Sequence, residues 1–223
     1  MIPTDKPSMA SRSLCMPRRP PPPAGWPSIN GDAAAAFSGT TLLYERAPPA
    51  PSGLAGWILR QTLLSPQPAP YTIFGWHVAL RSNTLAVGAY GVDQEAGAVH
   101  VYSRAPGGSV WSLNTTLYAS DRAPDAYFGW SLALSADESS LLVGAARANE
   151  LRGQAYAFEL QPRTFQWEEV GVFADPAGFP GDRYGTSLAV NTLAGGTGVS
   201  GGAYRFLIGS KHKAANGVHH AGL

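Results

Sequence analysis

The sequence predicts an all-β fold: an incomplete β-propeller of four-stranded antiparallel blades, preceded by a proline-rich disordered segment. Three observations carry that expectation. An aromatic-Gly pair returns at Phe74-Gly75, Phe128-Gly129 and Tyr184-Gly185, spaced 54 and 56 residues apart. Trp57, Trp111 and Trp167 keep the same two spacings. Short apolar runs with strand periodicity fill the intervals. A fixed period in this range marks a repeat architecture. A four-stranded sheet cannot bury both faces alone, and radial stacking of such sheets buries them and shields most edges.

The first strand of each unit follows the aromatic-Gly pair. Trp76 to Leu80, Trp130 to Leu134 and Thr186 to Val190 alternate between two faces. One face carries Trp76, Val78 and Leu80, or Trp130, Leu132 and Leu134. The other carries small residues: Ala79, Ser131 with Ala133, and Ser187 with Ala189. Period-two alternation is the mark of a strand, and the small face suits a crowded place near the axis of a radial array. The second strand is a nearly continuous apolar run ending in glycine: Leu85 to Ala89, Leu141 to Ala145 and Phe206 to Ser210. The third strand opens on glycine, at Gly39, Gly97 and Gly153, and Gly217 starts another copy. The fourth starts at the periodic tryptophan and is more polar, as an outer strand should be.

The period divides the chain into a leader, residues 1–30, and a partial propeller, residues 31–223. Within the propeller lie a half blade at about 37–70, blades at 71–124 and 125–180, and an incomplete blade at 181–223. In the leader, Pro17 and Pro20 to Pro23 preclude regular helix or a central strand and favour extended polyproline II. A ring of this period needs further blades, from the same chain or another one, because closed propellers use about 4–8.

The repeated residues resemble the FG-GAP repeat, the blade unit of the integrin α-subunit propeller and of many bacterial and algal proteins. Its Phe-Gly and Gly-Ala elements stand here as Phe74-Gly75 with Gly88-Ala89, Phe128-Gly129 with Gly144-Ala145, and Tyr184-Gly185 with Gly209-Ser210. Tyr90, Ala146 and Lys211 replace the proline that completes Gly-Ala-Pro. A kelch-type propeller is the runner-up, but the paired glycines expected at its strand ends are missing. The resemblance implies a binding or adhesion scaffold that is extracellular or at a cell surface. Calcium-binding members carry several aspartates between the first two strands, as a hard cation requires. The loops here hold no acid at 81–83, only Asp137 and Glu138 at 135–140, and none at 191–204. The expectation is therefore the calcium-free variety, with no metal and no cofactor.

Composition excludes several classes of function. A net charge of +1 creates no basic face for nucleic acid. Cys15 is the single cysteine, so there is no intrachain disulfide framework. No run approaches the ~20 apolar residues of a membrane span, and the N-terminus lacks a continuous apolar signal region.

No nucleophile elbow, phosphate loop or carboxylate pair stands out, so no catalytic residue is predicted. Asp121, Asp125, Asp175 and Asp182 precede the aromatic-Gly pairs and read as turn residues; Asp125 and Asp182 occupy similar places. His100 reads as a packed or surface strand residue. The candidate binding loops join the second and third strands, with matched lengths and different residues: Tyr90, Asp93 and Glu95; Arg147, Asn149 and Arg152; Lys211 and His212. A constant scaffold with variable loops is how repeat proteins build binding faces. Asn114 begins a glycosylation sequon, usable only in a secretory pathway. The expected function is a non-enzymatic scaffold that recognises protein or glycan partners through these loops. The alternatives are an accessory propeller segment of a larger secreted enzyme, or a truncated fragment without function.

Overall fold

A computed structural model describes residues 37–47, 56–192 and 203–213. The proline-rich leader and the copy of the third strand at Gly217 lie outside these residues. Among the described residues, twelve strands form four antiparallel sheets in chain order. Sheet one pairs β1 (Thr40–Arg46) with β2 (Trp57–Leu64). Sheet two runs β3 (Val78–Leu80), β4 (Thr84–Ala89), β5 (Ala98–Ser103), β6 (Ser112–Leu117). Sheet three repeats that order with β7 (Phe128–Leu134), β8 (Ser140–Ala145), β9 (Gln154–Leu160), β10 (Trp167–Phe173). Sheet four pairs β11 (Tyr184–Thr192) with β12 (Tyr204–Ser210). Single turns α1 (Val92–Glu95) and α2 (Ala148–Leu151) join the second and third strands. Sheets two and three are whole blades; sheet one supplies third and fourth strands, and sheet four supplies first and second. The fold is an all-β incomplete propeller.

The outer strands share an irregularity. The pairing register skips Arg60, Asn114 and Val170, each three residues after the periodic tryptophan. One extra residue in a strand bends it and strengthens its twist, so every outer strand turns away at the same place.

The core lies between sheets, and all three junctions follow one rule. Between sheets two and three, Phe128, Leu132, Leu134, Leu141, Val143 and Tyr156 of sheet three meet Ala86, Val99, Val101 and Leu117 of sheet two. Between sheets one and two, Phe74, Leu85, Val87 and Tyr102 meet Leu43 and Leu63. Between sheets three and four, Tyr184, Leu188, Phe206 and Ile208 meet Ala133, Leu142, Ala155 and Ala157. The small face of the first strand is thus a seat for the next sheet's larger side chains, rather than a crowded place at the axis. A fully buried Phe128 contributes about 1.5–3 kcal/mol by leaving water.

The aromatic-Gly pair is the backbone part of this junction. The amide of Phe74 donates to Ser38 O at 2.8 Å, that of Phe128 to Ala96 O at 3.1 Å, and that of Tyr184 to Arg152 O at 2.7 Å. Parallel bridges tie Gly97 to Phe128 and Gly153 to Tyr184. Gly97 sits at φ +92°, and a Cβ there would run into the Phe128 carbonyl. Both its conformation and its clearance exclude a side chain. The aromatic-Gly of one blade and the strand-opening glycine of the preceding blade are therefore two halves of one joint.

Candidate functional site

The loops between second and third strands share one end of the sheets with the segments that lead into each aromatic-Gly pair. Their backbone is unusual. Asp93, Gln94 and Glu95 have φ of 48°, 58° and 64°, and Asn149, Glu150 and Leu151 have 52°, 60° and 66°. Each loop is one left-handed turn, which costs roughly 1–2 kcal/mol per L-residue. Contacts across the joint offset that cost. Gln94 O accepts from the Asp125 amide at 3.0 Å, Glu95 O from the Tyr127 amide at 2.9 Å, and Leu151 O from the Arg183 amide at 3.0 Å. In the half blade Phe37, at φ 58°, repeats the pattern by accepting from the Ile73 amide at 3.2 Å. The turn aims its carbonyls at the next sheet, so these loops fasten blades as well as face solvent.

That double role sorts the predicted binding residues. Asp93, Asn149, Lys211 and His212 are exposed. Asp93 accepts from Arg122 at 2.6 Å, and the His212 amide donates to Asp182 O at 3.2 Å. Glu95, Arg147 and Arg152 are half-buried, and Arg152 lies 3.7 Å from Glu150. Tyr90 is buried, so it supports the surface from beneath. Asn114 is exposed at the bulge of β6, far along the blade from these loops.

Four rings gather beside the loops. Trp76 and Trp130 have centroids 4.6 Å apart, Tyr90 and Tyr127 stack at 4.7 Å, and Tyr90 lies 5.0 Å from Trp76. Arg147 closes the cluster, its guanidinium 4.5 Å over the Tyr127 ring while donating to Tyr127 Oη at 2.6 Å. Burial, with Glu95, raises the pKa of the Tyr127 phenol while Arg147 opposes, so the hydroxyl stays neutral. Trp76 forms the open edge of the cluster and is 46% exposed. Sequence reasoning places Trp76 and Trp130 on an apolar strand face but does not join them to Tyr90 and Tyr127. The available signal is that tryptophan follows the aromatic-Gly pair in two units, whereas Thr186 follows it in the third.

The four aspartates have distinct jobs. Asp182 is buried and accepts from the Phe179 amide at 2.8 Å, and Asp175 accepts from the Ala177 amide at 3.0 Å. The Lys213 ammonium bonds Asp175 and holds its carboxyl below the usual range. Asp121 instead reaches the next blade, accepting from Tyr156 Oη at 2.6 Å. Asp125 sits at φ 62° in the place Gly181 fills at φ 98°, while Asp182 matches Ala126 and Thr72, so Asp125 and Asp182 are not equivalent.

At the opposite end of the sheets, Glu138 accepts from the Asn83 amide at 3.1 and 3.2 Å. Asp137 accepts from Ser135 Oγ at 2.5 Å and from Tyr204 Oη at 3.0 Å. Burial disfavours the Asp137 charge, but hydrogen bonds from Ser135, Ser139 and Tyr204 outweigh it and hold the carboxyl below its ordinary range. These carboxylates serve as struts between blades. Among the described residues, no group of three or more His, Cys, Asp and Glu side chains is placed to hold a metal ion.

The site can therefore offer stacking faces and a rim of carboxylate, amide and guanidinium groups. Residues 57–102 and 111–158 match the family model of the FG-GAP repeat. Each matched stretch runs from a periodic tryptophan to the aromatic of a third strand, so it crosses from one sheet into the next and carries half of a joint toward each end. No curated protein matches the chain.

Proposed function

We propose that this chain, an FG-GAP repeat protein through residues 57–158, is a non-catalytic binding scaffold that holds a protein or glycan partner on its loop face. The observation that supports this reading most is the half-exposed Trp76 at the edge of a buried aromatic cluster. A ring held rigid by three others loses little entropy on binding and presents a flat apolar face. Asp93, Asn149 and Arg152 lie on loops at the same end of the sheets, held by the joint beneath them, and offer groups that fix orientation. An adhesion role at a cell surface belongs to the same reading.

The test is a binding screen of immobilised glycans and of a displayed peptide library, followed by titration of each hit. Trp76→Ala is expected to weaken binding at least tenfold, in the range of an aromatic hot spot. Phe165→Ala, in the exposed β9–β10 turn at the other end of the sheets, is expected to leave it unchanged. Hits that bind both variants as tightly as the parent chain would refute the assignment of the site.

A further inference from the structure

At the end of the sheets opposite the loop face, a cleft of about 210 Å³ opens between sheets one and two. Sheet one lines it with Glu45 of β1 and Arg60 of β2. Sheet two lines it with Arg81 of the β3–β4 turn and with Arg104, just past β5. Leu80 and Trp111 add apolar surface. Gln61 of β2 fastens the two walls: its side-chain amide donates to Trp111 O and accepts from the Trp111 amide, both at 2.8 Å.

The repeat supplies its own comparison. Counted from the same glycines, aromatics and tryptophans, Ser103, Asn114, Ser135 and Leu160 take the places of Glu45, Arg60, Arg81 and Arg104 between sheets two and three. Glu159, Val170 and Asn191 take the first three of these places between sheets three and four. Thr115 and Gly171 stand where Gln61 does. The frame common to the joints needs none of these arginines, so the charge is particular to this one.

Each guanidinium is anchored on one side. Arg60 Nε donates to Glu45 at 3.1 Å. Arg104 lies 3.5 Å from the same carboxylate, its Nε donates to Ser82 O at 2.7 Å, and its guanidinium sits 4.9 Å over the Trp111 ring. Arg81 donates to Leu80 O at 3.2 Å and to Ser135 O at 3.3 Å. All three keep guanidinium N–H groups that meet no acceptor among the described residues. Among those residues Glu45 is the one carboxylate that pairs with them; Glu138, at the same end, accepts from the Asn83 amide instead. Three guanidiniums against one carboxylate leave two positive charges uncompensated. Like charges held together repel, and an anion between them relieves that cost.

We propose that this cleft binds the tetrahedral oxyanion of a sulfate or phosphate monoester carried by a ligand. Guanidinium forks match such oxygens bidentately. Three of them suit a group with three terminal oxygens better than a planar carboxylate, whose two oxygens a single arginine satisfies. The volume has room for about seven waters at ~30 Å³ each, enough for the anion and the first ring or stem behind it. Leu80, half exposed, is there to meet that stem.

The test titrates para-nitrophenyl sulfate, para-nitrophenyl phosphate and para-nitrobenzoate into the full chain by calorimetry at constant ionic strength. At least one ester is expected to bind at least tenfold more tightly than para-nitrobenzoate, the worth of one further charged hydrogen bond. The better ester tells whether the group comes from a sulfated or a phosphorylated ligand, and either supports the proposal. Arg81→Ser and Arg104→Leu, which install the residues of the neighbouring joint, are each expected to weaken binding at least tenfold. Glu45→Gln, which frees Arg60 and Arg104, is expected to tighten it up to about fivefold, the range of an exposed charge pair. Arg163→Ser removes an exposed positive charge at the same end of the sheets and is expected to leave binding unchanged. No binding of either ester at millimolar concentration, equal binding of para-nitrobenzoate, or equal losses in Arg163→Ser and Arg81→Ser would overturn the proposal. The first two outcomes are read on the parent chain and do not depend on any variant folding. The cleft and Trp76 lie at opposite ends of the sheets, so these results do not bear on the loop face.

Discussion

Lowering the pH from 7.5 to 4 should destabilise this protein chiefly through His100. The imidazole is fully buried on β5, facing sheet one, at a place that Leu42 and Tyr156 fill in the neighbouring sheets. Its Nδ1 lies 2.9 Å from Thr116 Oγ1, its ring is 5.5 Å from that of Phe74, and its Nε2 has no partner. Burial lowers its pKa from 6.5 to about 4. The folded chain therefore holds His100 neutral, while the unfolded chain protonates it below pH 6.5. Between these values the unfolded state binds the extra proton, so stability falls as pH falls. The full shift corresponds to about 3 kcal/mol, at 1.36 kcal/mol per pKa unit. The loss begins near pH 6.5 and is complete near pH 4. His77, with a pKa also lowered by burial, adds a smaller loss of the same sign. Asp137, whose carboxyl is held low, stabilises the fold above its unfolded pKa and loses that contribution only as pH falls below it. Comparison with His100→Leu removes these shared terms. Urea unfolding of both chains across this range should show the parent losing about 3 kcal/mol relative to the variant. A difference between them that stays constant from pH 7.5 to 4 would refute the reasoning.

Three further outcomes follow from the joints. Gly153→Ala should cost more than Gly107→Ala, although both sit at positive φ: backbone strain costs about 1–3 kcal/mol at either site, but only at Gly153 would the new Cβ strike the Tyr184 carbonyl, and the urea midpoints report the difference. Ser131→Ala removes a buried hydroxyl that donates to Gly185 O at 2.6 Å across the joint between sheets three and four. It should lower stability by about 1–3 kcal/mol by stranding that carbonyl, with hydrogen exchange rising first in β11. Asp182→Ala removes the carboxylate that accepts from the Phe179 amide and should speed proteolysis within residues 175–183 while leaving the exchange of β4 and β5 unchanged.

The strands, their order and the division into half and whole blades are legible in the sequence because each depends on a local pattern. Alternation gives the faces, and the tryptophan spacing gives the phase. Some features escape. Consecutive left-handed residues at Asp93, Gln94 and Glu95 contradict the preference of every L-residue involved, and only contacts with the next blade make them tenable. Nothing local announces such a turn. Counting back from the aromatic-Gly pairs sets Asp125 beside Gly181 and Asp182 beside Ala126, as the positive-φ positions do, so the likeness of the two aspartates is one of residue type and not of place. The aromatic cluster escapes for a related reason: Trp76 and Tyr90 are 14 residues from each other and 37 to 54 from Tyr127 and Trp130, so only stacking of the sheets brings them together. Asp121 likewise resembles a turn residue until the neighbouring Tyr156 is in view.

The joint between blades consists of amides, carbonyls and glycines, with little that is particular to any one blade. Its connector is standard. A unit running from one tryptophan to the next carries half a connector at each end, so a duplicated or transplanted unit fits beside any other without new chemistry at the seam. Divergence can then concentrate on the loops above each seam, where a change alters what the protein meets and leaves the ring able to assemble. Growth by copying whole units is the cheapest route this architecture has to a larger binding surface.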